Sequence, residues 1–159
     1  PGQVVIIPNF ILLRTLGWID TYQALILPNA FSAFGTFLLR QFFLSLPFEL
    51  EDAAKIDGCG YFGIYWYVIL PLSKPALTSL TVFTWLGQWN NFIWPLIVIN
   101  SVRMNTLTVG LRTLQGQYNT QWTLLMAGSV LALLPVLALF LSAQRTFIRG
   151  VALTGMGGR

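Results

Sequence analysis

The sequence has no histidine and a single cysteine, Cys59. One cysteine cannot form a disulfide within the chain or a CxxC zinc site, and without histidine there is no HExxH site and no histidine-assisted nucleophile. A GxxxxGK[ST] loop is also missing, so the chain does not hold nucleotide in the P-loop manner. Charge is scarce as well: nine basic and five acidic residues make up 9% of the 159 positions, against about 25% in typical globular chains. Fourteen charges do not cover a water-soluble surface. The net charge of +4 does not indicate nucleic acid, because the Lys and Arg residues stand singly in apolar sequence and form no clustered basic face.

What is present in excess is apolar sequence, 55% of all residues. Charges are absent from Thr21 to Leu39, from Pro75 to Val102 and from Thr113 to Gln144, runs of 19, 28 and 32 residues. A helix crossing a hydrocarbon core needs about 20 predominantly apolar residues, so each run can hold a span. The expected architecture is all-α, a polytopic transmembrane helix bundle with about four membrane segments.

An apolar stretch from Val4 to Trp18 is interrupted by Pro8 and carries Arg14; it is short for a span unless it begins upstream of Pro1. With neither initiator Met nor signal peptide, residues 1–159 are expected to be the C-terminal portion of a longer membrane domain. Gly17 to Tyr22 reads as a turn with interfacial aromatics. A second span is expected from Gln23 to Phe43, where Ala30, Ser32, Ala33 and Gly35 allow close helix approach. A third is expected from Ala76 to Ile99, and a fourth from Trp122 to Ala143, where Pro135 is tolerated if neighbours satisfy the freed carbonyl.

Between residues 45 and 74 lies a segment that does not read as a span, and it holds four of the five acids, Glu49, Glu51, Asp52 and Asp57. Pro47 suits the first position of a helix. The acids that follow oppose the positive end of the helix dipole, and Gly58 suits a left-handed stop. These signals predict a helix of about eleven residues, with Glu51 and Lys55 paired at i, i+4 and with Ala53 and Ala54 leaving a small-residue surface. Tyr61 to Tyr67 is aromatic enough to lie at the membrane interface or to pack back on that helix. Leu70-Pro71 and Pro75 then punctuate the return to the membrane. If this segment and the tail from Gln144 to Arg159 are cytoplasmic, that side carries Arg40, Lys55, Lys74, Arg145, Arg149 and Arg159. The other side carries Arg14, Arg103 and Arg112. Six against three favours this orientation.

The run Leu50-Glu-Asp-Ala-Ala-Lys-Ile-Asp-Gly58, followed after nine residues by Val68-Ile-Leu-Pro71, resembles the EAA motif of bacterial ABC importer permeases, E-A-A-x3-G-x9-I-x-L-P. Asp52 stands where that motif has Glu, and Val68 where it has Ile. The wider Pro47-to-Gly58 run, Leu70-Pro-Leu-Ser-Lys-Pro-Ala76, Trp89-Asn-Asn-Phe-Ile-Trp-Pro-Leu96 and Ala143-Gln-Arg-Thr-Phe-Ile-Arg-Gly150 are similar to the carbohydrate branch, specifically the smaller permease partner of the maltose-transporter type. The resemblance covers essentially the whole chain. It implies a permease subunit of an ATP-driven, binding-protein-dependent sugar importer in the bacterial inner membrane, with the C-terminus cytoplasmic. The implied partners are a second permease, a dimer of cytoplasmic ATPase subunits that hold ATP-Mg, and an extracytoplasmic solute-binding protein. No cofactor is implied for this chain itself. Coupling to the ATPase would fall to Glu51, Asp52, Ala53, Ala54, Asp57, Gly58, Leu70 and Pro71. The residues alone also fit a plain solvated loop helix with ordinary caps.

For a substrate path, Gln88, Trp89, Asn90, Asn91 and Trp94 put amides and indoles inside the expected third span, where polar groups are costly unless they face protein or water. The same residues also read as helix-joining amides and an interfacial Trp belt. As neighbours on one helix, Asn90 and Asn91 would point about 100° apart. Tyr118, Asn119 and Trp122 are candidates to meet the binding protein. Other classes fit less well. A proton-coupled carrier uses acids within its spans, and none lies in these runs. A membrane-embedded enzyme needs a paired acid, metal ligand or activated nucleophile. A permease of the same type for another solute, or a structural membrane subunit, is compatible with the composition.

Overall fold

The computed structural model describes residues 2–116 and 120–155, excluding the side chains of residues 143–155. The described residues are helical throughout, apart from turns and an isolated bridge between Gln115 and Thr120. The helices are α1 (Ile6–Thr15), α2 (Tyr22–Ile26), α3 (Ala33–Leu44), α4 (Phe48–Ile56), α5 (Tyr61–Leu72), α6 (Lys74–Trp89), α7 (Ile93–Val98), α8 (Leu107–Thr113) and α9 (Trp122–Gly155). They group into two compact units, Pro1–Phe31 with Trp85–Ala138, and Ser32–Thr84 with Leu139–Arg159.

In the first unit, α1 follows a 3₁₀ turn at Gly2–Val5 and runs straight through Pro8. Pro8 lies in the first turn, where its missing N–H has no intrahelical acceptor to lose, so the apolar stretch is not broken there. Helix α1 stops at Gly17, whose φ is +69°. The Gly17 N–H donates to Arg14 O at 3.1 Å and the Trp18 N–H to Leu13 O at 2.9 Å, a Schellman closure. The chain turns as expected before Thr21, whose hydroxyl caps α2 by accepting from the Ala24 N–H. Leu13, Ala24, Trp94, Val98 and Ile99 form the core of this unit, and both α1 and α2 pack on α7. The Trp94 indole N–H donates to Ala24 O at 2.9 Å, so the one polar atom of that buried ring is satisfied.

Two expected spans are interrupted. From Gln23 to Phe43 the chain is not one helix. Helix α2 gives way to a 3₁₀ turn at Leu27–Asn29 containing Pro28, and an extended Ser32 caps α3 by accepting from the Gly35 N–H at 3.1 Å. From Ala76 to Ile99 the helix stops at Trp89 and restarts at Ile93. The Asn90 side chain donates to Leu86 O at 2.9 Å, and Asn91 Oδ1 accepts from the Trp94 N–H at 3.4 Å. Short amide side chains compete in this way with the helical ladder. At 16 residues, α6 is shorter than a full span needs.

Among the described residues, one uninterrupted helical segment is long and apolar enough to cross a membrane, Trp122–Ser142. Its mean hydropathy is 2.6 and only 6% of it is buried. A soluble core helix of that composition would be covered, so this one presents its apolar surface outward, as a lipid-facing helix does. It continues helical through Pro135, as expected.

In the second unit, Gly35 on α3 lets α6 come close. A Cβ at Gly35 would meet Leu80 Cδ1 at 3.0 Å, and beside it the Phe34 and Phe83 rings meet edge-on, 6.1 Å between centroids. Leu70-Pro71 and Pro75 do not end the helical path. Residues Ile64–Ile69 form a π-helical turn just ahead of Pro71, and the wider turn gives room for a proline ring that would otherwise press on the carbonyl four residues back. Pro75 falls in the first turn of α6. Between them Ser73 is fully buried, and its hydroxyl donates to Ile69 O at 2.6 Å.

Candidate functional site

The acidic segment folds as two short helices closed by a glycine. Pro47 is the N-cap of α4, with extended backbone, and helical residues begin at Phe48. Helix α4 is therefore nine residues long and starts one position later than the proline signal suggests, a shift within ordinary end effects. Glu49 and Glu51 occupy its first turn and Lys55 its last, complementing the dipole at both ends. Its stop is a second Schellman closure. The Gly58 N–H donates to Lys55 O at 3.0 Å and the Cys59 N–H to Ala54 O at 2.9 Å, with Gly58 at φ +83°. Only glycine adopts that backbone without penalty, and nothing stands within 4 Å of a Cβ placed there.

Glu51 and Lys55 pair at 3.0 Å, and Asp52 joins the same ammonium at 3.4 Å. The hydrogen bond it donates to Glu51, helped by Asp52, holds the pKa of the Lys55 ammonium above its usual 10.5. Exposed pairs of this kind add little stability; they bring two carboxylates and one cation together on the surface of α4. Asp52, Ala53 and Asp57 are exposed, whereas Ala54 is buried at 6%. The small-residue surface expected of Ala53 and Ala54 is thus divided: Ala53 faces outward and Ala54 lies inward. Helix α4 packs against the π-helical turn of α5, so the aromatic segment from Tyr61 to Tyr67 does pack back on it. Tyr61, Phe62 and Tyr67 nonetheless remain at least 75% exposed. Leu70 and Pro71 lie at the far end of α5, and among the described residues no hydrogen bond joins them to α4.

The residues expected along a substrate path do not form one group. Trp94 is a core residue with its indole N–H occupied. Trp89 donates its indole N–H to Ala132 O at 3.1 Å and stacks on Trp85, 5.0 Å between centroids. Gln88 and Asn90 are exposed. Asn91 is a structural hub: its side chain meets Gln88 and the Trp94 N–H, and its carbonyl accepts from the Thr108 hydroxyl at 3.0 Å. Because α6 ends at Trp89, the 100° relation of Asn90 and Asn91 on one helix does not hold. Of the three candidates to meet a binding protein, Trp122 opens α9 and is 65% exposed. Tyr118 and Asn119 lie outside the described residues, as do the side chains of Arg145 and Arg149 and all of Arg159.

Asp20, which no sequence motif singles out, ties the turn before α2 to the residues after α7. It sits at φ +62° and its Oδ1 accepts from the Asn100 N–H, the Ser101 N–H and the Ser101 hydroxyl, each at 3.0 Å. These bonds, the one from the Ser101 backbone foremost, hold its carboxyl below the usual 3.8. The available signal was its isolation, as the one acid outside the 45–74 segment.

Comparison with known proteins adds a family and named relatives. The family described as binding-protein-dependent transport system inner membrane component matches residues 1–152. An arabinooligosaccharides transport system permease protein, AraQ, from Bacillus subtilis (strain 168) is 42% identical over 158 residues, covering 99% of this chain and 56% of that protein. Its counterpart from Halalkalibacterium halodurans is also 42% identical, with 57% of that protein covered. The sn-glycerol-3-phosphate transport system permease protein UgpE from Yersinia enterocolitica is 40% identical over 153 residues, covering 95% of this chain and 54% of that protein. The chain spans somewhat more than half the length of the curated relatives it matches, and those relatives are named as transport permeases, not enzymes.

Proposed function

Because this chain belongs to the family of binding-protein-dependent inner-membrane transport components, we propose that it is the greater part of a permease subunit that imports a carbohydrate, with work supplied by a separate ATPase. The observation that carries the coupling role is α4. A short helix with paired charges on its surface, closed at Gly58 by two backbone hydrogen bonds, is a compact handle on a chain whose sequence has no P-loop. Asp52, Ala53, Asp57 and the rim residues Ile56, Tyr61 and Phe62 present an exposed surface. A partner that grips this surface differently in two states can move the helices behind it, which is alternating access driven by differential binding.

In this reading the full subunit is multi-pass with its C-terminus cytoplasmic, pairs with a second permease, sits on an ATPase dimer that holds ATP-Mg, and receives sugar from an extracytoplasmic binding protein. The relatives are named for arabinooligosaccharides transport in one case and sn-glycerol-3-phosphate transport in the other; both compound classes carry several hydroxyls. Reconstitution tests the proposal. The full-length chain, reconstituted with its ATPase, second permease and binding protein, should take up a radiolabelled carbohydrate in ATP-loaded proteoliposomes. ATP hydrolysis should rise when loaded binding protein is added. Uptake that persists without ATP and follows a proton gradient would overturn the proposal.

A further inference from the structure

The first unit contains a cleft of about 360 Å³. Four of the side chains lining it are carboxamides, Gln3, Asn9, Asn29 and Asn91, and Ile93 and Trp94 form part of its apolar wall. Among the described residues, no charged side chain lines it. The amides come from distant parts of the sequence: the 3₁₀ turn, the first turn of α1, the 3₁₀ turn after α2 and the break between α6 and α7. Asn29 donates to Leu25 O at a long 3.4 Å, and Asn91 is held by Trp94 and Gln88. The exposed Gln3 and the half-buried Asn9 make no side-chain hydrogen bond among the described residues, so their donors and acceptors are open to a ligand.

Each carboxamide offers two N–H donors and a carbonyl acceptor without charge. That inventory matches hydroxyl groups, which donate and accept at once. A phosphate ester is recognised by cations, usually Arg or Lys, and none is here. The volume falls at the low end of small-molecule sites, about 300–1,000 Å³. We propose that this cleft, walled by Gln3, Asn9, Asn29 and Asn91, is a binding site on the import path for a neutral polyhydroxylated ligand, and that it selects such a ligand over a phosphorylated one. This rests on reading the chain as a carbohydrate permease and assigns the substrate class of that permease.

The test uses the full-length subunit assembled with its partners. In a cysteine-free full-length background that includes Cys59→Ala, Asn9→Cys is alkylated with N-ethylmaleimide while loaded binding protein and ATP are present, with arabinotriose or sn-glycerol-3-phosphate as the probe ligand. Uptake kinetics are measured for parent, Asn9→Leu, Gln3→Leu and Asn9→Gln. Arabinotriose should slow alkylation at least threefold and sn-glycerol-3-phosphate should not. Asn9→Leu should raise the apparent KM for arabinotriose roughly two- to twelvefold, the effect of one neutral hydrogen bond, at near-parental kcat, and Asn9→Gln should recover much of it. If the parent imports arabinotriose while labelling and KM are indifferent to ligand and substitution, the cleft assignment is wrong and the sugar reading stands. Protection by sn-glycerol-3-phosphate alone overturns the substrate class. A parent that imports none of a panel of neutral mono- and oligosaccharides under ATP removes the carbohydrate reading along with the cleft.

Discussion

Gly58 offers the sharpest test of how the loop is built. Its φ of +83° places it in left-handed backbone, and a Cβ there meets nothing within 4 Å. A substitution therefore clashes with no neighbour, and its cost is that of the backbone conformation alone. For an ordinary L-residue that cost is about 1–2 kcal/mol, more for a β-branched side chain, whose presence at positive φ is a true outlier. Since about 1.4 kcal/mol is tenfold in an equilibrium, the native closure should lose roughly 5- to 30-fold in population against turns that release Gly58 N–H from Lys55 O and Cys59 N–H from Ala54 O. Gly58→Val should insert and express normally, yet lose most ATP-dependent uptake and co-purify poorly with the ATPase. Gly58→Asn, which tolerates left-handed backbone, should keep more activity than Gly58→Val. Parental uptake in Gly58→Val, or equal loss in both variants, would refute the backbone argument.

Reversing the exposed charge with Asp52→Lys should leave insertion intact and abolish co-purification with the ATPase, measured by pull-down from detergent extracts. Trp94→Phe removes the buried bond to Ala24 O and should lower stability by about 1–3 kcal/mol, the cost of an orphaned buried group, read as a drop in melting temperature. Asn91→Leu should lower it too, because it removes the acceptor of the Trp94 N–H, while Asn90→Leu, which loses one exposed bond to Leu86 O, should melt close to the parent. Asp20 has a depressed carboxyl pKa, so its stabilising contribution is complete above its usual 3.8 and is lost as pH falls through the lower folded value. The melting-temperature gap between parent and Asp20→Asn should accordingly be present at pH 6 and shrink below pH 3.8.

The all-helical class and the loop were legible because their signals are local. A missing charge over 32 residues announces Trp122–Ser142, and acids, alanines and a glycine in fixed order announce α4 and its left-handed stop. The breaks were not legible. Pro28 and the pair Asn90 and Asn91 sit in apolar runs that hydropathy averages over, and whether an amide competes with the helical ladder depends on what its carbonyls and N–H groups meet. For Asn91 that includes Thr108, seventeen residues away. The burial of Ala54 followed the packing of α5 against α4, which no spacing rule supplies. The amide cleft was invisible for the same reason: its four carboxamides are scattered from position 3 to position 91, and only the fold brings them together.

The central claim is that residues 45–74 face the cytoplasm and dock an ATPase, and the half-exposed Cys59, the one thiol in the chain, reports on it directly. A membrane-impermeant maleimide should leave Cys59, kept as the sole cysteine of the full-length subunit, unlabelled in intact spheroplasts and label it in inverted vesicles stripped of ATPase. Adding the ATPase back should slow that labelling. Labelling from outside the spheroplasts, or a rate in inverted vesicles indifferent to the ATPase, would contradict it.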